Sequence, residues 1–481
     1  MRSILQKINA FLLSVALVCC ILPARASASY EIPGTCQVQA DNGTEYTVKI
    51  LDYDYDNNAY FSLRDMAVVL KDTDKAFSLA VTKNAVALNT GEVYEPVGGE
   101  NDSWDSSENP NISLRRNEFK VNEQDTFYYT LIAMMPSGDY DCFMMAADLA
   151  MILDMDITVS DDGVLQIHTQ EPFSVSPASL EQAGYFNGVN SVLAGDVTTG
   201  EIYYKYQADT AYPIASISKL MTYLLVMDAL SAGQITPEDQ VVVSDAVHAL
   251  SVSGDGVIAL EAGREVTVQD LMLGSLLASS NECTLCLAET VAGSEEAFAQ
   301  MMNQKAKELG LSQAVFFNSH GLPVYTEDPV PAKLQNCMSA EDMFRLVSYL
   351  LRVYPQVTDV TSLQSASLES FGTTVNNTNP LLYNMSGVTG LKTGTTNKAG
   401  ACLVTSLKAD DGNMEHDLAV VVLGTEDSAE RGRVSGLLAK YALEVFHDGA
   451  DQTETTVWPQ DMPVHAEAVV DCILRTARNY K

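Results

Sequence analysis

Basic residues are scarce in this chain. Its 481 residues include 28 Lys and Arg against 63 Asp and Glu, a formal net charge of −35. That balance excludes a nucleic-acid-binding role, because holding a polyphosphate needs the opposite sign. Histidine is scarcer still, with six scattered copies and no His-Glu-x-x-His pair. No metal site is legible, and no cofactor is expected. The cysteines follow no spaced framework, so no disulfide pattern can be read. Cys283-x-x-Cys286 has no second pair and sits in a helical pattern with Leu285, Leu287, Ala288 and Val291. It reads as two small buried residues one turn apart. Long apolar runs are missing too. Ala10–Leu22 and Ala466–Leu474 both fall short of the roughly 20 residues that span a bilayer, so no membrane anchor is legible.

What is present begins with an export leader. Arg2 and Lys7 precede the apolar run, and Ala26-Ser27-Ala28 supplies a small-residue cleavage site, the arrangement of a secretory signal over residues 1–28. Its removal takes away Arg2, Lys7 and Arg25 and no acid, leaving −38 on the mature chain. That excess keeps an exported protein soluble. Seven cysteines remain, an odd number.

Residues 30–170 read as a small α+β unit with a faint internal repeat. Phe61–Leu70 resembles Met144–Leu153. Each copy has apolar positions three and four apart and is followed by strand-like runs, Phe77–Leu88 and Ile157–His168. Gly99–Asn111 reads as a polar loop, and Glu171–Pro177, with two prolines, as a linker. Residues 178–448 open with a strand pair, Ser191–Asp196 and Glu201–Tyr206. Helical patterns follow over Val268–Leu277, Cys283–Ala292, Glu295–Leu309 and Ala340–Leu351. A hairpin (Ala401–Ala409, Leu418–Leu423) and a helix over Glu430–Phe446 close this part, and residues 449–481 form a tail. Strands, then helices, then strands and a helix predict an α+β fold, an antiparallel sheet flanked by helices.

Three motifs carry chemistry. Ser216-Ile217-Ser218-Lys219 opens an apolar helical run after Pro213. It places a serine and a lysine on one helix face, with the serine in the first turn of a buried helix. Burial and a second cation would keep the lysine neutral and able to take the serine proton. Alone, such a spacing arises by chance. Ser279-Ser280-Asn281 and Lys392-Thr393-Gly394-Thr395 follow it in order. Together the three make the signature of serine β-lactamases and penicillin-binding proteins.

Surrounding residues narrow the resemblance. Ala211-Tyr212-Pro213-Ile214-Ala215-Ser216, Phe316–Leu322, Ser339–Met343 and Gly390–Gly394 are similar to the serine-type D-Ala-D-Ala carboxypeptidases, the low-molecular-mass penicillin-binding proteins. The resemblance covers residues 178–448. It implies a transpeptidase-like fold with a helical subdomain. It also implies peptidoglycan stem peptides as substrate, β-lactams as inhibitors, and a place on the wall side of a bacterial membrane. Under it Ser216 is nucleophile, Lys219 general base, and Ser279 a proton relay to the leaving amine. Asn281 positions the substrate amide and Lys219, and Lys392, Thr393 and Arg431 face the terminal carboxylate. Backbone N–H groups of Ser216 and Thr395 form the oxyanion hole, and Gly394 leaves room for substrate. His320 reads as structural. Departures are Ser280 for the usual glycine, Glu282-Cys283 after the asparagine, and Ser319 for the usual proline. The family's C-terminal β-domain and amphipathic anchor are expected to be missing. Residues 30–170 resemble the copper-amine-oxidase N-terminal-like stalk module through Tyr60–Ala67 and Tyr94–Glu100. That implies a spacer or wall-contacting module, beside the equally open reading of a folded appendage with no partner of its own, and no copper, since His168 is its only histidine.

Two other readings stay open. A class A β-lactamase needs a Glu-x-x-x-Asn between the second and third motifs, and no glutamate there has asparagine four residues on. A non-catalytic wall sensor would not need all three motifs intact.

Overall fold

In the computed structural model we describe residues 32–53, 58–102, 111–113, 118–126, 128, 130–135, 138–160, 164–174, 186, 188–326, 332–448 and 454–455. The leader at 1–28 lies outside them. The chain divides into two compact units, residues 1–187 and 188–481.

The first unit is built on an eight-stranded sheet. It contains β1 (Ile32–Gln39), β2 (Glu45–Tyr53), β3 (Asn58–Ser62) and β4 (Tyr140–Met145). Its order is Asp156–Val159, Leu165–His168, β1, β2, β3, β4, Leu131–Met134, Asn111–Ser113. The internal repeat is a strand leading straight into a helix, β3 into α1 (Leu63–Leu70) and β4 into α2 (Ala146–Leu153). The two repeat strands pair antiparallel, with Phe143 opposite Ser62. The apolar positions of both helices meet in one core through Leu63, Met66, Leu149 and Leu153. Asp65 is buried there and accepts from Lys49 N, Lys49 Nζ and Asn101 N, so the loop read at Gly99–Asn111 is anchored at its start. The linker reading of Glu171–Pro177 needs correction over its first half. Glu171 O accepts from Asp156 N, and Phe173 is buried in the first unit's core. The apolar ring outweighs the neighbouring proline.

The second unit carries a six-stranded antiparallel sheet. Its named strands are β5 (Ser191–Asp196), β6 (Glu201–Tyr206), β7 (Val388–Thr396), β8 (Gly400–Asp410) and β9 (Glu415–Thr425). The order is β7-β8-β9-β5-β6 and then Glu454–Thr455. Two residues of the expected tail therefore form an edge strand, with Thr455 opposite Glu201. Its longer helices are α3 (Lys219–Ser231), α4 (Val268–Leu276), α5 (Asn281–Ala292), α6 (Glu295–Glu308), α7 (Ala340–Val353) and α8 (Ser428–Asp448). Leu193, Ala419, Val421 and Leu423 join Phe344 of α7 in the main core. Their alternates Val192, Val420 and Val422 are equally buried, and α8 packs on the same strands. Covered on both faces, the strands read as unbroken apolar runs. In α3 only Asp228 and Ser231 escape burial. A helix apolar all round belongs at the centre of a unit, and α3 carries Lys219 at its first position. This is the α+β architecture expected from the order of elements. Among the described residues no helix is long and apolar enough to cross a membrane.

Candidate active site

Ser216 does not lie in the first turn of the α-helix, as the spacing suggests. It sits in a 3₁₀ turn, Ala215–Ser218, that runs into α3 at Lys219. With three residues per turn, positions i and i+3 eclipse, and the lysine comes directly under the serine. Lys219 Nζ lies 2.8 Å from Ser216 Oγ, 2.8 Å from Asn281 Oδ1 and 2.9 Å from the His320 carbonyl oxygen. The latter two are carbonyl oxygens and can only accept. As an ammonium, Lys219 donates to all three oxygens; in its neutral form the two carbonyls take both N–H bonds and the lone pair turns to the Ser216 hydroxyl. Lys219 has no exposed surface. Burial pulls its pKa from 10.5 to about 7, against the opposing pull of Glu282, Cys283 and Glu295. Burial is thus the main cause. The repulsion expected between the two lysines falls on Lys392, held well below its usual range by burial, then by Lys219 and Arg431.

The turn is held in an unusual backbone form. Ala215 has φ +47°, a left-handed conformation costly for an L side chain. Its carbonyl accepts from Ser218 Oγ at 2.7 Å, and Gly321 packs so closely on that carbonyl that no Cβ would fit. On the other side lies β7, the edge strand of the sheet. A Cβ on Gly394 would come within 2.8 Å of Ser216 N and 2.9 Å of Ile217 N. The glycine therefore makes room for the nucleophile's own backbone.

The second motif divides its labour residue by residue. Ser279 takes φ +60° and is half-buried. Ser280 is fully buried and caps α5, its Oγ accepting from Cys283 N at 3.0 Å. Asn281 opens the helix. Its Oδ1 faces Lys219, and its Nδ2 donates to the Asp255 carbonyl at 2.9 Å. That carbonyl fixes which way the amide points and leaves the second N–H of Nδ2 for another partner.

The third motif lies along β7. Lys392 is buried, with Nζ donating to Thr393 O at 3.0 Å. Thr393 Oγ1 lies 2.5 Å from Thr378 Oγ1. Thr395 is exposed and accepts at Oγ1 from Arg431 Nη1 at 3.3 Å. Arg431 comes from the first turn of α8 and is buried; burial lowers it to about 10. His320 is brought to the same place, but through its backbone. Its ring Nδ1 accepts from Leu322 N, and burial then Lys219 depress it to about 3. It is a neutral ring with a structural hydrogen bond. Ser319, at the usual proline position, donates through N and Oγ to Glu295. Thr378 and the carbonyls of Asp255 and His320 escaped sequence reasoning. Only Thr378 left a trace, in the Asn- and Pro-rich turn Asn376–Pro380. Cys283 and Cys286 are buried in α5 with thiols pushed up by burial.

The family model described as D-alanyl-D-alanine carboxypeptidase matches residues 187–427, half of the chain. This chain belongs to that D-alanyl-D-alanine carboxypeptidase family. It is 37% identical over 253 residues to D-alanyl-D-alanine carboxypeptidase DacF of Bacillus subtilis, covering 52% of this chain and 60% of that one. To DacC of Escherichia coli it is 32% identical over 255 residues, again covering 52% and 60%. The chain thus spans less than two thirds of these carboxypeptidases' length. A solved peptidoglycan synthesis regulatory factor (PBP3) from Streptococcus pneumoniae matches at 32% identity and TM-score 0.49, covering 53% of this chain and 73% of that one. The matched span contains Ser216, Lys219, Ser279, Asn281 and the whole Lys392–Thr395 run. Arg431 falls just beyond it.

Proposed function

We propose that this protein is an exported serine-type D-Ala-D-Ala carboxypeptidase that trims the terminal D-alanine from peptidoglycan stem peptides and is acylated by penicillin. The observation that carries this is the placement of the buried Lys219 Nζ within hydrogen-bond distance of Ser216 Oγ, Asn281 Oδ1 and the His320 carbonyl oxygen, an arrangement in which the neutral amine can take the serine proton. In this reading Ser216 Oγ attacks the carbonyl of the penultimate D-alanine while Lys219 takes its proton. The oxyanion is held by the N–H groups of Ser216 and Thr395. Ser279 passes a proton to the leaving D-alanine amine, and Asn281 orients Lys219. Lys392, Thr393 and Arg431 supply charge and hydrogen bonds for the terminal carboxylate. Water then releases the acyl group. Members of the matched family bear the carboxypeptidase name, which supports the substrate class.

The first unit we read as the stalk-like module of the resemblance, a spacer or wall-contacting part. The supporting feature is that both stretches carrying the likeness are internally fastened, Asp65 by Lys49 and Asn101, and Tyr94 by Glu100 at 2.9 Å. Sedimentation of the mature protein with purified sacculi, before and after deletion of residues 30–170, tests the wall contact.

The deciding experiment is labelling with a fluorescent penicillin, with D-alanine release from a D-Ala-D-Ala peptide measured alongside. Wild type should label and turn over peptide. Ser216→Ala should not label and should lose at least ~10³-fold in turnover. Labelling that survives in the alanine variant overturns the role given to Ser216.

A further inference from the structure

Glu282 is the residue after Asn281 in the first turn of α5, and the chemistry above makes no use of it. It has no exposed surface. Its Oε1 accepts two backbone hydrogen bonds, from Val257 N at 3.1 Å and from Ile258 N. Its Oε2 is buried with no hydrogen-bond partner. A buried, half-satisfied carboxyl group is costly, and helix capping does not require it, because Ser280 already caps α5. The same short segment is gripped a second time, since Asn281 Nδ2 donates to the Asp255 carbonyl. Two consecutive side chains thus hold Asp255–Ile258 from one helix end, although Asp255 and Val257 are themselves exposed. Gly256, between them, packs against the Ser251 carbonyl with no room for a Cβ.

We propose that Glu282 is a positioning residue of this site, fastening the Asp255–Ile258 segment to Asn281 and holding buried negative charge against Lys219. The proposal rests on the reading of Ser216 and Lys219 as nucleophile and base. The first effect is geometric. With the segment fixed, the Asp255 carbonyl holds Asn281 Nδ2, so Oδ1 must face Lys219. The second is electrostatic. The groups facing Lys219 are Glu282 and Cys283 from α5, Glu295 from α6, the His320 ring from the loop before Gly321, and Lys392 from β7. Cys283 and His320 are uncharged at neutral pH, their thiol raised and their ring lowered by burial. Glu295 accepts from Ser319 at both carboxylate oxygens. Glu282 leads the opposition to burial at Lys219. Without its charge the amine would release its proton at still lower pH.

The test compares wild type, Glu282→Gln and Glu282→Asp in the mature protein. Rates of acylation by benzylpenicillin are measured from pH 5 to 9.5, and hydrogen exchange is followed at the Val257 and Ile258 amides. Glutamine keeps an acceptor and removes the charge, so the rising limb should move down by about one unit. Near pH 5.5 that variant should run ~10-fold closer to its own plateau than wild type does. Aspartate keeps the charge and shortens the reach. Its limb should stay at the wild-type pH, while the two amides exchange at least ~10-fold faster. A glutamine limb that coincides with wild type, or lies above it, overturns the electrostatic role. Unchanged exchange in the aspartate variant overturns the clamp. If the glutamine variant does not fold, a displaced limb in the aspartate variant overturns the charge role, and a limb that stays in place supports it. A wild type that penicillin never acylates overturns the carboxypeptidase reading instead, and the exchange experiment still decides the clamp.

Discussion

Lys219 is held without any solvent contact, and its stability cost can be measured. A shift from 10.5 to about 7 corresponds to about 5 kcal/mol that the folded state forgoes relative to a solvated ammonium. Because the folded pKa is depressed, the unfolded chain binds the proton more tightly between those limits. The cost is therefore complete below about pH 7 and fades as pH rises towards 10.5. Lys219→Met removes it but leaves Asn281 Oδ1 and the His320 carbonyl short of a donor, at roughly 1–3 kcal/mol each. It also relieves Lys392 of a repelling neighbour. The stability of this variant relative to wild type should be most favourable at pH 6.5 and should decline by a few kcal/mol (~3) by pH 9.5, read from urea unfolding. An equal gap at both pH values would mean the lysine is not neutral in the folded protein. The same residue sets the activity profile. In wild type, acylation should rise with pH through about 7 and then level, as the neutral amine becomes the populated form. At this scale the sequence is informative wherever chemistry resides in a side chain. Ser216, Lys219, Asn281 and Lys392 are legible from type and order. The carbonyls of His320 and Asp255 are not, because every residue has one.

Elements decide how closely those groups approach. The 3₁₀ turn and β7 touch through backbone alone at Gly394, so Gly394→Ala forces a Cβ against two main-chain nitrogens. Neither can retreat as a flexible side chain would. Acylation by penicillin should fall at least ~100-fold, by displacement of the nucleophile, with labelling rate as the measure. A normal rate would show that the turn moves freely. Ser280 makes a different kind of claim. As cap of α5, Ser280→Ala should cost about 1 kcal/mol, and Ser280→Gly only a few tenths, seen as a larger fall in Tm for alanine than for glycine. The β5–β6 hairpin is legible because its strands flank a tight Thr-Gly turn. The β8–β9 hairpin is legible because both strands are buried on both faces. The 3₁₀ turn is not, since four residues do not separate a period of 3.0 from 3.6. Nor are β1 and β2, with Pro33 and Gly34 at the start of β1 arguing against a strand.

For the whole molecule, three motifs far apart in sequence converge on one unit, and the other unit has its own core. Residues 188–455, which retain the edge strand at Glu454–Thr455, should therefore fold and acylate at the full-length rate, and the sacculus contact proposed for the first unit should be lost with it. The motif order identifies the converging unit. The boundary at 187/188 is not legible, because the segment after His168 looks like a linker and packs like a core. Within the second unit, the surroundings of the site also bear on the fate of the acyl-enzyme. A β-lactam keeps its leaving group tethered, shielding the ester, and β-lactamases answer with a glutamate-held water. Here Glu282 is fully buried with Oε1 on the Val257–Ile258 backbone, and Glu295 is tied to Ser319. Glu282 has no exposed surface to reach a water at the ester, and Glu295 is bonded to Ser319 through both oxygens. A peptide substrate instead loses its D-alanine, and the site opens behind it. The full protein should therefore turn over D-Ala-D-Ala ends yet keep penicillin as a single adduct on Ser216 that decays over minutes or longer, as mass spectrometry of the intact chain can track. Rapid adduct loss with repeated penicillin turnover would favour a β-lactamase, and would require a water-activating group other than Glu282 and Glu295.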